Sequence, residues 1–402
     1  MFENILGQQI TKTLTNDVRN NTLPHSILFH GPRFSAKFSA ALELSRVLAC
    51  EKEGAWGCTC PSCSIHEQLL SPNLIVAGYR NCLPEIVASS KTLFAELERL
   101  SDDYEFSTTR LLYIRSVRKL LMRFNPVLWD GSDKVSKINP LLASLSETME
   151  EFANSSMEEL RKRGEKLTEK IFVDCQKLED TFLPEAIPIF QVRNIRSWAA
   201  LTSSVNKKTI IFENSDKMND NSRNALLKLL EEPGESTVFI LLTEKRQNII
   251  PTILSRLRSF QFLNRPSSVQ SEVIKRVYHD PRWETLSLPD FFEKFFSFPK
   301  EETSTVASEI CTAAFLGGVM PDCDEISRRL NKFEPKMIFK FLLAEIQKSS
   351  ISMDFSSLSP FKQSLFFRLP SVLNDCNEQV FIYNRSPISV LELLLYNLSV
   401  SE

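Results

Sequence analysis

The chain has 402 residues, more than one compact domain usually holds, so two or three domains are predicted. Hydrophobic residues make up 43% and charged residues 24%, as in ordinary globular proteins. A formal net charge of −2 excludes a strongly basic nucleic-acid binder but allows a local basic face. Because only 10 glycines are present, a glycine-rich loop is expected only where several of them cluster.

The first residues, Met1 to Gln8, lack a basic start followed by an apolar core, so no signal peptide is predicted. No apolar run approaches the roughly 20 residues that a membrane helix needs, and no membrane partner is expected. Nine cysteines are present, four of them between Cys50 and Cys63. An odd number with a single cluster fits a reducing, cytoplasmic setting better than a disulfide framework.

The chain opens with a predicted strand–loop–helix unit. The apolar run from Ser26 to His30 ends at Gly31-Pro32, which is typical of a buried strand that enters a tight loop. Helical spacing follows over residues 35–50, and the cysteines come next. Residues 85–185 are rich in Glu, Lys, Ser and Leu, and residues 141–180 have the pattern of one long amphipathic helix. We interpret residues 85–185 as a helical insertion outside the sheet.

Strands and helices alternate again after the insertion. The predicted elements are a helix over 189–204, a buried strand over 208–212, a helix over 219–232 that Pro233 ends, and a second buried strand over 237–243. Nearly continuous apolar strands between helices indicate a parallel α/β sheet. The segment Arg265 to Ser268 is typical of a domain boundary, and the rest of the chain has helical patterns.

Several motifs resemble those of bacterial DNA polymerase III clamp-loader subunits, which are AAA+ proteins. Asn224 to Pro233 resembles the helix that follows their Walker B strand, and Pro251 to Arg256 resembles their Ser-Arg-Cys motif. Gly7-Gln8, the segment 25–29 and the cysteine cluster also match the family's opening pattern. Together the matches cover about residues 1–75 and 187–265.

The resemblance implies an α/β fold class, with a parallel-sheet AAA+ domain of the nucleotide-binding type over residues 1–265. A zinc module at about 50–66 and the helical insertion at about 85–185 belong to this domain. A small helical lid over 266–300 and an all-α collar for oligomerisation over 301–402 are expected to follow.

The loop Gly31 to Phe38 departs from a working phosphate loop, which reads Gly-x-x-x-x-Gly-Lys-Ser/Thr. Gly31 and Lys37 match the phosphate-binding positions of that motif. Ala36 replaces the second glycine, so a Cβ crowds the backbone N–H groups that would surround phosphate. Phe38 replaces the hydroxyl residue that would hold magnesium. We therefore predict a degenerate Walker A loop that does not function.

The Walker B position agrees with this prediction. Counting back from the Asn224 helix places Glu213 and Asn214 where the family has Asp-Glu. Asn214 cannot act as a general base. The two losses together predict that the chain does not hydrolyse ATP, while nucleotide binding without hydrolysis stays open.

By resemblance, Arg256 is the arginine finger that the Ser-Arg-Cys motif presents in trans to nucleotide bound by a neighbouring subunit. A guanidinium suits this role because it is always charged and forks onto phosphate oxygens. Leu257 follows where the family has cysteine. The alternative is a surface arginine in an ion pair.

Cys50, Cys58, Cys60 and Cys63 are the candidate metal ligands, since four thiolates can surround structural zinc and Cys60-x-x-Cys63 has the spacing of a paired ligand. Only one residue separates Cys58 from Cys60, where the family has two, so His66 is a candidate substitute for Cys58. The alternative is a loop of reduced cysteines without metal.

A basic amphipathic stretch, Arg110 to Arg123, lies inside the insertion. Its arginines could contact DNA phosphates or a partner subunit, or form a solvated helix face.

The sequence thus predicts a non-hydrolysing, delta-prime-type subunit of the DNA polymerase III clamp loader in DNA replication, with no ATPase or polymerase activity of its own. Its expected partners in a hetero-oligomer are the motor (gamma/tau-type) and delta subunits, the sliding clamp and, through the complex, primed DNA. One alternative is an active AAA+ ATPase of the same complex. Another is a zinc-bearing DNA-binding or scaffold protein that retains the fold.

Overall fold

The computed structural model describes residues 1–99, 103–201, 207–232, 234, 236–279, 285–295, 300–330, 335–355, 358–381, 383 and 385–399. The chain forms two compact units, Met1–Phe296 and Ser297–Glu402. Within the described ranges, no helix is both long enough and apolar enough to cross a membrane.

A five-stranded parallel sheet lies at the centre of the first unit. Its strands are β1 (Ser26–His30), β2 (Leu74–Ala77), β3 (Lys208–Phe212), β4 (Thr237–Thr243) and β5 (Arg258–Gln261). They lie in the order β2-β3-β4-β1-β5. Because parallel strands end at the same edge, the segments that follow β1, β2 and β3 meet at the carboxyl edge of the sheet, where ligands of such folds bind.

Helices surround this sheet and bury β3 and β4 along their whole length. Those outside the insertion are α1 (Ile10–Arg19), α2 (Lys37–Ala49), α3 (Pro61–Glu67), α9 (Ile189–Ala200), α10 (Asp220–Glu231), α11 (Pro251–Leu254), α12 (Ser267–Tyr278) and α13 (Leu288–Glu293). The predicted parallel α/β sheet is confirmed. Pro233, which was predicted to end the helix before β4, lies outside the described residues.

The insertion is helical, as predicted, and shares one hydrophobic core with the sheet. Its helices are α4 (Leu83–Arg99), α5 (Asp103–Leu121), α6 (Pro126–Trp129), α7 (Val135–Asn154) and α8 (Met157–Phe182). The prediction of one long helix over 141–180 is wrong, because Ser155 and Ser156 separate two helices, α7 and α8. Ser156 begins α8 with a capping box, in which its hydroxyl accepts from the Glu159 N–H at 3.3 Å and the Glu159 carboxylate accepts from the Ser156 N–H at 2.8 Å.

Helices α12 and α13 pack against α4 of the insertion. Ile274, Tyr278, Leu288 and Phe291 form a small core with Ala88 of α4. The second unit has its own apolar core. It contains α14 (Lys300–Cys311), α15 (Cys323–Leu330), α16 (Pro335–Ile351), α17 (Pro360–Phe381) and α18 (Pro387–Ser399).

Candidate functional site

The loop between β1 and α2 keeps a curled backbone at the carboxyl edge of the sheet. Phe34 and Ala36 both have a left-handed backbone, with φ of 60° and 70°. This conformation costs an L-residue about 1 kcal/mol or more, and glycine adopts it freely. At Gly31 a Cβ would come 2.0 Å from the carbonyl oxygen of Phe262, so glycine is required there. The loop is therefore sharply curled, with alanine in a left-handed conformation where the resemblance expects the second glycine.

Lys37 turns its ammonium group back into this loop. Its Nζ donates to the carbonyl oxygens of Gly31 and Pro32, both at 2.6 Å, and to Ser35 Oγ at 3.3 Å. These acceptors use all three donors of the ammonium group. Burial lowers the pKa of Lys37 to about 8. In this conformation the ammonium group of Lys37 stabilises the loop through these three hydrogen bonds.

We expect the difference in free energy of unfolding, natural protein minus Lys37→Met, to increase by about 1–3 kcal/mol as pH rises from 8 to 10.5. The sign follows because the unfolded chain holds the lysine proton up to about pH 10.5, whereas the folded chain releases it near pH 8. Urea unfolding across this window measures the difference. The exposed Lys12→Met variant is the control and should show none of this rise; a flat or falling difference for Lys37→Met contradicts the prediction.

Phe38, at the position where the resemblance expects a hydroxyl ligand for magnesium, packs against two guanidinium groups. Phe38 is 5% exposed. The guanidinium carbons of Arg80 and Arg123 lie 4.7 and 5.3 Å from the centroid of its ring, in cation–π geometry.

Glu213 follows β3 and is 8% exposed. Arg80 Nη1 donates to its Oε1 at 3.1 Å, and Arg123 Nη2 donates to its Oε2. Arg80 also lies 3.7 Å from Glu85, which is paired with Lys119. Burial disfavours charge on Arg80, but the carboxylates of Glu213 and Glu85 raise its pKa above the usual range. Both carboxylate oxygens of Glu213, the residue that the resemblance places at the Walker B position, are therefore bound by arginine.

Asn214 has a structural position beside this cluster. Its φ is 51°, and its Nδ2 donates to the carbonyl oxygen of Tyr79 at 2.8 Å. The side chain thus connects the turn after β3 to the turn after β2. An amide group is also not basic enough to act as a general base.

Sequence reasoning missed Arg80, and it named Arg123 only as part of the basic stretch Arg110 to Arg123, not as a partner of Glu213. Arg80 lies three residues beyond β2, so its place at the carboxyl edge could have been inferred had that short strand been recognised. Arg123 ends the basic stretch, but nothing in that pattern connects it to Glu213, which lies 90 residues away and is reached only through the fold of the insertion.

The prediction of a solvated helix face is wrong for Arg115 and Arg118, at the centre of the basic stretch. Arg115 and Arg118 donate to the carbonyl oxygens of Glu67 and Gln68, at the end of α3. Cations bind well there because the last carbonyls of a helix have no partner within it. The stretch fastens α5 to the cysteine segment.

Arg256 lies in the turn after α11, with its side chain 36% exposed. Its Nη2 donates to Glu231 Oε1 at 2.8 Å, and its Nη1 donates to the carbonyl oxygen of Thr252 at 2.7 Å. Exposed pairs of this kind contribute only about 0–1 kcal/mol, so another anion can compete for the guanidinium. The contact is the ion pair of the alternative interpretation, and it leaves the finger role open.

The four clustered cysteines bring their sulfurs together. All four Sγ atoms lie within 4.8 Å of one another, with Cys50 Sγ 3.7 Å from that of Cys58 and 3.9 Å from that of Cys60. A tetrahedral zinc site with bonds of about 2.3 Å places its sulfurs about 3.8 Å apart. The cluster could therefore hold a zinc ion, and it includes Cys58. Among the described residues His66 is not part of it; its imidazole is buried, with Nε2 unpartnered.

Hydrogen-bond donors surround these sulfurs. The N–H groups of Lys52 and Gly54 each donate to Cys50 Sγ at 3.3 Å, and Arg46 Nη1 donates to Cys63 Sγ at 3.0 Å. Donors of this kind stabilise thiolates and orient metal ligands. The donor set therefore fits a closed, structural metal site with no open position for chemistry.

The sheet order, the curled loop after β1 and the carboxylate after β3 define an α/β domain of the AAA+ type, followed by helical segments. A family model described as "DNA polymerase III, delta subunit" matches residues 7–266. The chain belongs to this family, and the resemblance to clamp-loader subunits is confirmed.

Individual relatives match shorter stretches. The DNA polymerase III subunit delta' of Bacillus subtilis is 37% identical over 71 residues, which cover 17% of this chain and 22% of the relative. That of Pseudomonas aeruginosa is 36% identical over 80 residues, covering 20% and 24%. Replication factor C small subunit 1 of Pyrobaculum arsenaticum is 33% identical over 94 residues, covering 23% and 28%. The chain thus spans less than a third of the length of these relatives.

One solved structure is also similar. It is a DNA polymerase III gamma subunit-related protein from Thermotoga maritima, at 19% identity and a TM-score of 0.31. The similarity covers 57% of this chain and 89% of that one.

Proposed function

We propose that this protein is a non-hydrolysing, delta-prime-type subunit of a DNA polymerase III clamp loader. The observation that carries the proposal is Glu213, whose two carboxylate oxygens are both bound by arginine beside the Phe38 ring. Hydrolysis needs a carboxylate free to hold magnesium and a base to orient water. The cluster offers neither, and Asn214 stands where the base would be. The rival function, an active ATPase, has no support from this geometry.

Such a subunit acts through its neighbour. We propose that Arg256 leaves Glu231 in the assembled complex and binds the γ-phosphate on the adjacent motor (gamma/tau-type) subunit. The weak exposed ion pair supports this proposal, since little free energy holds the guanidinium in the isolated chain. The other proposed partners are the delta subunit, the sliding clamp and primed DNA. Within this chain, we propose that α12 and α13 form the lid and that the helical second unit forms the collar. The proposed location is the cytoplasm.

We also propose that Cys50, Cys58, Cys60 and Cys63 bind structural zinc. Zinc would neutralise part of the thiolate charge and hold the loop and α3 together, and Arg46 would orient the thiolate of Cys63. A zinc-bearing scaffold unrelated to clamp loading would share this site, so the cysteines do not separate the two functions.

Co-expression with motor and delta subunits from the same genome tests the proposal. We expect this chain to co-elute with both in gel filtration, and the purified chain alone to release no phosphate from magnesium-ATP above the rate of a Lys37→Ala variant. A chain that hydrolyses ATP in a Lys37-dependent way, or that never joins the complex, contradicts it.

A further inference from the structure

Active phosphate-loop ATPases bind magnesium beside the carboxylate that follows the Walker B strand. In this chain the corresponding carboxylate, Glu213, belongs to a cluster with Glu85 and three cations, Arg80, Arg123 and Lys119. Three positive groups thus face two negative ones. A divalent cation that approached Glu213 would have to displace an arginine and would meet repulsion from the others.

We propose that Arg80 and Arg123 are built-in cations that permanently take the place of magnesium at Glu213, and that supplying Arg123 is one role of the helical insertion. The proposal gives a structural reason for the proposed non-hydrolysing function, and it depends on that function in one respect, the absence of ATP hydrolysis by this chain. It assigns the insertion a role inside its own subunit, where the sequence left that role open.

Burial and hydrogen bonds fix the Arg123 guanidinium group in one position. Its side chain is 1% exposed. Its Nε donates to the carbonyl oxygen of Gly78 at 3.1 Å, its Nη1 donates to that of Lys119, and its Nη2 donates to Glu213. Its own carbonyl oxygen accepts from Trp129 Nε1 at 2.8 Å. A buried guanidinium with donors on three sides is a fixed charge, and removing it would leave Glu213 with one partner fewer.

The insertion and the β1–α2 loop both contact the α12–α13 pair or the residue that follows α12. From α4, Thr92 Oγ1 donates to the carbonyl oxygen of Tyr278 at 3.2 Å, and Glu96 lies 3.4 Å from the His279 imidazole. Phe34 of the degenerate loop stacks on Phe292 of α13, with ring centroids 5.4 Å apart and planes inclined by 10°. Direct side-chain contacts therefore connect both the insertion and the loop to this part of the first unit.

Manganese binding to the isolated chain tests the proposal, with electron paramagnetic resonance to count bound Mn²⁺ and thermal unfolding to report stability. The natural protein should bind no Mn²⁺ at Glu213 and should keep its Tm when Mn²⁺ is added. Arg123→Ala should lower the Tm by about 5–10 °C without metal, since a buried carboxylate loses a partner. Mn²⁺ should then bind at about one ion per chain and restore at least half of the lost Tm, as expected for a ligand specific to the folded state.

Two further variants make the result specific. Arg118→Ala removes an arginine that donates to a backbone carbonyl, so it should create no manganese site. Adding Glu213→Gln to Arg123→Ala should abolish the new site and thereby exclude binding at the cysteines. Should Arg123→Ala not fold, Arg80→Ala takes its place, because that side chain is 33% exposed and its loss is milder.

Glu213-dependent binding of Mn²⁺ to the natural protein overturns the proposal, and so does an arginine variant that folds but binds no Mn²⁺. The test contains neither nucleotide nor partner subunit. Failure of the chain to join a clamp loader would refute the proposed function and leave this result unaffected.

Discussion

Replacing Arg256 with alanine should slow ATP hydrolysis at the neighbouring site by about 10³-fold, the lower end of what arginine fingers supply. The reason is that no other group in the Ser-Arg turn carries charge to the γ-phosphate. Single-turnover phosphate release by the complete loader, stimulated by clamp and primed DNA, measures the effect.

Two controls separate this role from folding. Arg258→Ala removes an arginine two positions further on that pairs with Asp17 of the same chain at 3.0 Å, and it should leave the single-turnover rate within about twofold. Glu231→Gln breaks the ion pair but keeps the guanidinium, so the rate should survive. Gel filtration should show intact complexes throughout. An unchanged rate in Arg256→Ala would leave Arg256 as an ordinary surface arginine.

The second large effect is expected at the cysteine cluster. The double variant Cys60→Ser, Cys63→Ser should reduce zinc from one ion per chain to nearly none and lower the free energy of unfolding by at least about 3 kcal/mol. That is a fraction of the roughly 10–16 kcal/mol that structural zinc supplies to isolated zinc peptides. Metal analysis and urea unfolding measure the two quantities.

The loss of stability should also extend from the cysteine segment to α5. Arg115 and Arg118 of α5 donate to carbonyls at the end of α3, so loosening α3 should speed amide exchange in α5. The control is Cys376→Ser, which alters a buried thiol in the other compact unit and should keep the metal. Well under one zinc per chain in the natural protein, or a stability that chelators do not change, would argue for four reduced cysteines.

The elements with strong local patterns were predictable. Strands β1, β3 and β4 are continuous apolar runs with clear ends, and their predicted bounds agree with the structure. Strands β2 and β5 were missed. β2 is a continuous apolar run, but its four residues are the minimum for such a signal. β5 is also four residues long, and among them only Phe260 is buried, so its pattern does not distinguish it from a loop.

The candidate site was predictable only in the part whose residues all lie in one continuous segment of the sequence. The changes at Ala36 and Phe38 are visible because a phosphate loop is continuous in sequence. The arginines that bind Glu213 come from two distant segments, and no periodicity or motif connects them to β3. Long-range ion pairs depend on how helices of the insertion pack, which local sequence does not specify.

The contacts of Glu213 and Phe38 at the carboxyl edge of the sheet also determine how reversible the proposed loss of ATP hydrolysis would be. Changing Phe38 back to threonine would remove a ring from the core and still leave Glu213 bound by two arginines. Removing an arginine first would leave a buried carboxylate with one partner fewer, and even a divalent cation bound there would lack the hydroxyl ligand that Phe38 replaces and the general base that Asn214 replaces. Each single step toward a working site thus costs stability and restores no activity. A lineage that reached this arrangement would be held in it, since the return path needs several substitutions at once.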